Sequence, residues 1–224
     1  MLSMVSTLIR LITGITARWV GTDPVDAAGR AAQRVYFANH TSNLDGPVIW
    51  ASLPGLLRRA TRPVAAQDYW NGGAVRRFFA NRVFRCVLIE RKKVTKSSNP
   101  LAAMETALEA GDSLILFPEG GRSTDDSGEM GPFKPGIWHL AKKHPNVQFV
   151  PVYLENLNRI LPKGDFLFIP LMASATFGSP VPFDADKHVF MSSAREAILK
   201  LRRRGYACDD PEPSILERVE PTDA

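Results

Sequence analysis

Of the four histidines in the chain, His40 stands in the setting best suited to chemistry. It lies in a polar cluster, Asn39-His40-Thr41-Ser42-Asn43-Leu44-Asp45, that begins where the apolar run Val35-Tyr36-Phe37-Ala38 stops. A neutral imidazole accepts a proton near pH 7. A neighbouring carboxylate fixes its tautomer and stabilises the imidazolium that forms. Asp45, five residues after His40, is the expected partner. On a regular helix that spacing would turn the two side chains to different faces, so the pair needs a tight strand-to-helix turn. By itself the pair reads more readily as a helix cap beside a hydrogen-bonded histidine. Metal chemistry is not expected, because two ligands make no site and His139, His144 and His188 show no ligand spacing. No G-x-S-x-G elbow occurs, and nothing distinguishes Ser42 as a nucleophile. If His40 is a base, the proton it takes comes from a substrate hydroxyl that attacks directly.

Two further clusters follow apolar runs. Phe117-Pro118-Glu119-Gly120-Gly121-Arg122-Ser123 joins two glycines to a guanidinium. Glycines allow close backbone approach, and free N–H groups with an arginine make an anion site. Glu90-Arg91-Lys92-Lys93 is the second. Each taken alone is as well read as a solvated loop.

The elements that must hold these clusters are an alternation of strands and helices. Arg34 to Ala38, Val64 to Ala66, Arg85 to Glu90, Ser113 to Phe117 and Val147 to Leu154 read as strands. Phe166 to Ile169 and Ala173 to Phe177 read as two more. Pro47 to Leu53 reads as a helix with proline at its first position. Gly72 to Phe79 reads as a basic, aromatic helix. Asn99 caps a helix that starts at Pro100 and stops at Gly111. Others carry Ile137, Leu140 and Ala141, and run from Ala185 to Arg204. The pattern predicts a single α/β domain, with a mixed, mostly parallel sheet flanked by helices.

Residues 1 to 20 place Leu2, Val5, Leu8, Ile9, Ile12, Ile15 and Trp19 at helical spacing. Arg10 and Arg18 interrupt the run too early for a membrane span of about 20 apolar residues. No basic stretch precedes it and no small-residue cleavage site follows, so a signal peptide is not expected. The expectation is an amphipathic helix in the membrane interface, with Trp19 and Arg18 at headgroup level; its rival is a helix packed on the protein's own core. The domain expected to follow covers 21–208, and an acidic, disordered tail 209–224. Without that tail the chain keeps 27 basic and 17 acidic residues, a net of +10. Such a field favours anionic partners, lipid headgroups and phosphorylated substrates among them. The basic residues are dispersed and no nucleic-acid module appears, so nucleic acid is not an expected partner. Cys86 and Cys208 make no disulfide framework, in keeping with a reducing, cytoplasmic setting.

His40-Thr41-Ser42-Asn43-Leu44-Asp45 resembles the H-x4-D motif of the glycerolipid acyltransferase family. Phe117 to Ser123, about 75 residues later, resembles the family's F-P-E-G-[TG]-R-S motif. Ile89-Glu90-Arg91 is similar to its second motif and Val150-Pro151-Val152-Tyr153 to its fourth. The resemblance implies the glycerol-phosphate acyltransferase-like α/β fold and acyl transfer without a cofactor. Acyl-CoA or acyl carrier protein would be the co-substrate and a lysophospholipid the acceptor. It implies His40 as base, Asp45 as its partner, Glu119, Gly120 and Arg122 in the acceptor-binding loop, and Arg91 as a second phosphate ligand. Gly121 replaces the commoner threonine, and Glu90 stands where aspartate is frequent. The size points to the branch that acylates 1-acylglycerol 3-phosphate on a membrane surface, here expected at the cytoplasmic face of the inner membrane. The alternatives are another lysolipid acceptor or a non-catalytic lipid-binding protein.

Overall fold

A computed structural model describes residues 2–27, 29–90, 99–121, 130–157 and 173–207. Seven strands form one sheet: β1 (Thr16–Trp19), β2 (Arg34–Ala38), β3 (Thr61–Ala66), β4 (Val87–Ile89), β5 (Ser113–Leu116), β6 (Gln148–Glu155) and β7 (Ser174–Phe177). Their spatial order is β1-β7-β6-β2-β5-β3-β4. Neighbours run parallel except β6 and β7, so the edge pair β1–β7 opposes the rest. The expected mostly parallel sheet is therefore present. The central strands are apolar on both faces, as parallel strands covered on two sides must be.

Alternation along β2 and β5 divides the core in two. Tyr36, Ala38 and Ile115 point to one face, where they meet α2 (Asp45–Ser52) through Val48, Ile49 and Trp50. Val35, Phe37, Leu114 and Leu116 point to the other. There α6 (Pro100–Glu109), α7 (Gly136–Lys143) and α8 (Lys187–Ala207) cover them. Asn99 caps α6 through the Leu101 N–H, and Gly111 at φ +84 turns the chain out of it. Short helices α3 (Gly55–Arg59) and α4 (Gln67–Trp70) add Leu57 and Trp70 to the first face, and α5 (Ala74–Phe78) follows them in the chain. The helix expected over 72–79 is α5 followed by a π-helical turn, Phe79–Val83.

The expectation of one helix through residue 20 is corrected. Helix α1 spans Leu2–Thr13, Gly14 turns at φ +59, and residues 16–19 become β1 at the sheet edge. The physical reason lies in the partners. The β1 backbone pairs with β7, and the Trp19 ring stacks on Phe177 with centroids 4.1 Å apart. Trp19 thus packs within the fold, on the edge strand. Helix α1 itself does two things. Leu2, Val5 and Ile9 pack against the first-face core, and Ser6 meets the guanidinium of Arg58. Met4, Leu8, Leu11 and Ile12 remain exposed. The expected strand at 166–169 and the tail 209–224 lie outside the described residues.

Candidate active site

Parallel strands β2 and β5 are neighbours, with Phe37 opposite Leu116. Their outgoing loops therefore leave the same sheet edge side by side. The β2 loop enters α2 on one face and the β5 loop leads to α7 on the other. A crevice opens where adjacent strands send their connections to opposite faces, the usual place for ligands in open α/β sheets.

Asn39 prolongs β2 beyond its last ladder bond. Its buried side-chain amide donates to the Leu154 carbonyl at 2.9 Å and accepts from the Leu154 N–H at 2.8 Å. This imitates a strand peptide and anchors the residue before His40. The next six residues close a tight turn on Asp45. Asp45 Oδ2 accepts from the Thr41 N–H at 2.7 Å and the Ser42 N–H at 2.8 Å. The same oxygen lies 2.8 Å from His40 Nδ1. The turn thus brings the two expected side chains together. Asp45 is fully buried, so its charge is stabilised by these donors and not by water. It also opens α2, where a carboxylate suits the positive end of the helix dipole.

The imidazole is held on its flat side too. Phe117 stacks on it with centroids 4.2 Å apart and planes 19° from parallel. Glu119 locks the two loops together. Its Oε1 accepts from the His40 backbone N–H at 3.0 Å and its Oε2 from the Gly131 N–H at 2.8 Å. Both oxygens of Glu119 are thus engaged with backbone, a bracing position for a residue expected on an acceptor-binding loop. Gly120 sits at φ +69 and lines the crevice. Arg122 and Arg91 lie outside the described residues.

With Nδ1 turned to Asp45, Nε2 is the ring nitrogen left for chemistry. His40 lines a cavity of about 480 Å³. That is within the roughly 300–1,000 Å³ usual for small-ligand sites. Its walls are mostly apolar, from Val64 and Ile89 on the sheet, Leu101 and Met104 on α6, and Ile137 and Leu140 on α7. The arrangement suits removal of a hydroxyl proton beside a greasy substrate. Asn39, the stacking role of Phe117 and the cavity-lining Lys134 were not singled out from sequence. An asparagine between a strand and the candidate histidine was the one available signal.

A family model described as Acyltransferase matches residues 21–155. A 1-acyl-sn-glycerol-3-phosphate acyltransferase of Limnanthes alba is 29% identical over 189 residues, which cover 77% of this chain and 60% of the relative. A probable 1-acyl-sn-glycerol-3-phosphate acyltransferase of Mycoplasma genitalium is 30% identical over 115 residues, 51% of this chain and 40% of the relative. The chain thus spans 60% of the length of the plant relative. The crystal structure of the 1-acyl-sn-glycerophosphate (LPA) acyltransferase PlsC from Thermotoga maritima superposes with a TM-score of 0.67 at 19% identity. The match covers 91% of this chain and 79% of that one, and it shows a shared fold.

Proposed function

The chain belongs to the acyltransferase family, and we propose that it moves a fatty acyl group from a thioester to the 2-hydroxyl of 1-acylglycerol 3-phosphate, forming phosphatidic acid. The donor is acyl-CoA or acyl carrier protein. The observation that carries this reading is the His40–Asp45 pair, 2.8 Å apart, with His40 lining a mostly apolar cavity. The names of the relatives supply the acceptor.

His40 Nε2 takes the hydroxyl proton as the oxygen bonds to the thioester carbonyl carbon. Asp45, already hydrogen-bonded at Nδ1, stabilises the imidazolium. The tetrahedral centre then expels the thiolate by breaking the C–S bond. The imidazolium returns its proton to that sulfur, and His40 ends neutral. General-base assistance of this kind contributes about 10²–10⁴-fold. The cavity takes apolar chain, which aligns the reacting groups before reaction. Arg122 and Arg91 remain in this proposal as ligands of the acceptor phosphate. The His40 N–H is bound to Glu119 and so does not serve the oxyanion.

The enzyme works as a peripheral protein on an anionic bilayer, at the cytoplasmic face of the inner membrane. Support comes from the exposed apolar side of α1 and from the basic balance of the chain. No helix among the described residues is long and apolar enough to cross a membrane.

The test is an acceptor panel with one labelled acyl-CoA, run on the wild type and His40→Ala. Lysophosphatidate should be the best acceptor. The variant should keep its circular dichroism and lose about 10²-fold or more of turnover. Wild-type rates in a folded His40→Ala protein would remove His40 from the chemistry. Preference for another lysolipid would move the acceptor and leave acyl transfer standing.

A further inference from the structure

Lys134 stands in the segment that leads into α7, and two hydrogen bonds fold that segment back onto the β5 loop. The Lys134 N–H donates to the Pro118 carbonyl at 2.7 Å, and the Gly131 N–H donates to Glu119 Oε2 at 2.8 Å. The lysine side chain then lies over Gly120. A β-carbon at position 120 would fall 2.5 Å from both Cε and Nζ of Lys134, so the glycine leaves the lysine its space. Lys134 and His40 line the same cavity.

The charge around that cavity is sparse. Among its described lining residues Lys134 is the one lysine or arginine, and Glu90 the one carboxylate. Glu90 has an interaction of its own. No carboxylate among the described residues pairs with Lys134. Gly136 and Ile137, at the first turn of α7, line the cavity beside it. The positive end of that helix and the ammonium act in the same direction on an anion. A cation that no described carboxylate pairs, on the wall of the same mostly apolar crevice as the imidazole, fits an anionic group of the substrate. In the proposed reaction that group is a phosphate.

We infer that Lys134 is a phosphate-binding residue of this site, gripping a phosphate ester of one substrate while His40 acts on the hydroxyl. The inference rests on the acyl-transfer reading for its substrate class. The phosphate belongs either to the acceptor headgroup or to the CoA of the donor, and the experiment separates them.

Wild type, Lys134→Ala and Lys134→Arg are compared in two measurements. The first is turnover of lysophosphatidate and of neutral monoacylglycerol, with acyl-CoA and with an acyl N-acetylcysteamine thioester that has no phosphate. Lys134→Ala should raise KM for the phosphate-bearing substrate roughly ten-fold, with a small change in kcat. Lys134→Arg should recover most of it. A defect seen with lysophosphatidate and absent with monoacylglycerol assigns the acceptor phosphate. A defect seen with acyl-CoA and absent with the short thioester assigns the donor. The second measurement is calorimetric binding of glycerol 3-phosphate and of CoA, which needs no turnover. Lys134-dependent binding of either probe by a protein that acylates nothing would sink the acyl-transfer reading and leave the phosphate site. Equal KM and equal binding in wild type and Lys134→Ala would overturn the inference. An equal loss with charged and neutral substrates, without weaker binding of either probe, would also overturn it, because it marks a structural role.

Discussion

Three donors converge on one oxygen of Asp45, the His40 ring and two backbone N–H groups of its own turn. The turn and the His40–Asp45 pair are thus one hydrogen-bonded unit. Asp45→Asn keeps the size and an acceptor oxygen for the turn but removes the charge that would stabilise an imidazolium. We expect kcat to fall about 10²–10⁴-fold with KM little changed. A drop of less than about ten-fold in steady-state kinetics would remove Asp45 from the proton transfer. Cys86 is a contrasting residue. Burial pushes its thiol up to about 12, and the charge of Arg62 only partly opposes this. The folded state therefore holds the proton where the unfolded chain releases it, and stability is lost as pH rises from 9.0 to about 12. Alkylation of Cys86 by iodoacetamide at pH 8, followed by mass spectrometry, should be slow in the native protein and rapid in urea. Rapid native labelling would contradict the burial.

At the scale of elements, the site depends on how β2 ends. Asn39 ties that end to β6 through both backbone groups of Leu154. Asn39→Ala would strip hydrogen bonds from two buried backbone groups, each worth about 1–3 kcal/mol when left unsatisfied. We expect about 2–4 kcal/mol of lost stability in urea unfolding, with reduced activity in the protein that remains folded. A variant of wild-type stability would show that the turn holds without this anchor. The strand Arg34–Ala38 and the cap at Asn99 followed from short-range pattern, because their partners lie within a few residues or their apolar runs are unbroken. Strand β1 did not follow. Its four residues, Thr16 to Trp19, continue a helical apolar spacing, and only the free edge of β7 makes them a strand.

For the whole molecule, α1 has a core-facing side and an exposed apolar side. One side packs on the core through Leu2, Val5 and Ile9. The other leaves Met4 75% and Leu11 77% exposed, with Leu8 between them. A helix apolar on most of its circumference can serve the core and a bilayer together. Leu8→Glu with Leu11→Glu should spare the fold and shift the protein off vesicles of anionic phospholipid in a sedimentation assay. Unchanged sedimentation would separate α1 from membrane binding. The same double variant should lower activity on vesicle-borne lysophosphatidate more than on detergent-solubilised substrate.

Sequence alone determined the α/β class, the core strands and the two motif clusters, because apolar period and turn chemistry are local properties. It also offered His40 and Asp45 as candidates, because a tight turn after a strand can return two side chains five residues apart, although the pair by itself read more readily as a helix cap. Tertiary structure decided what those clusters do to each other. The order that sets β5 beside β2 brings Phe117 onto the His40 ring and Glu119 onto its backbone. The segment that leads into α7, hydrogen-bonded back to Pro118 and Glu119, sets Lys134 over Gly120. The two contacts to His40 join residues 77 and 79 positions apart, beyond the reach of any local pattern. Strand order is set by the packing of the whole core, and only that packing turns two suggestive loops into one crevice.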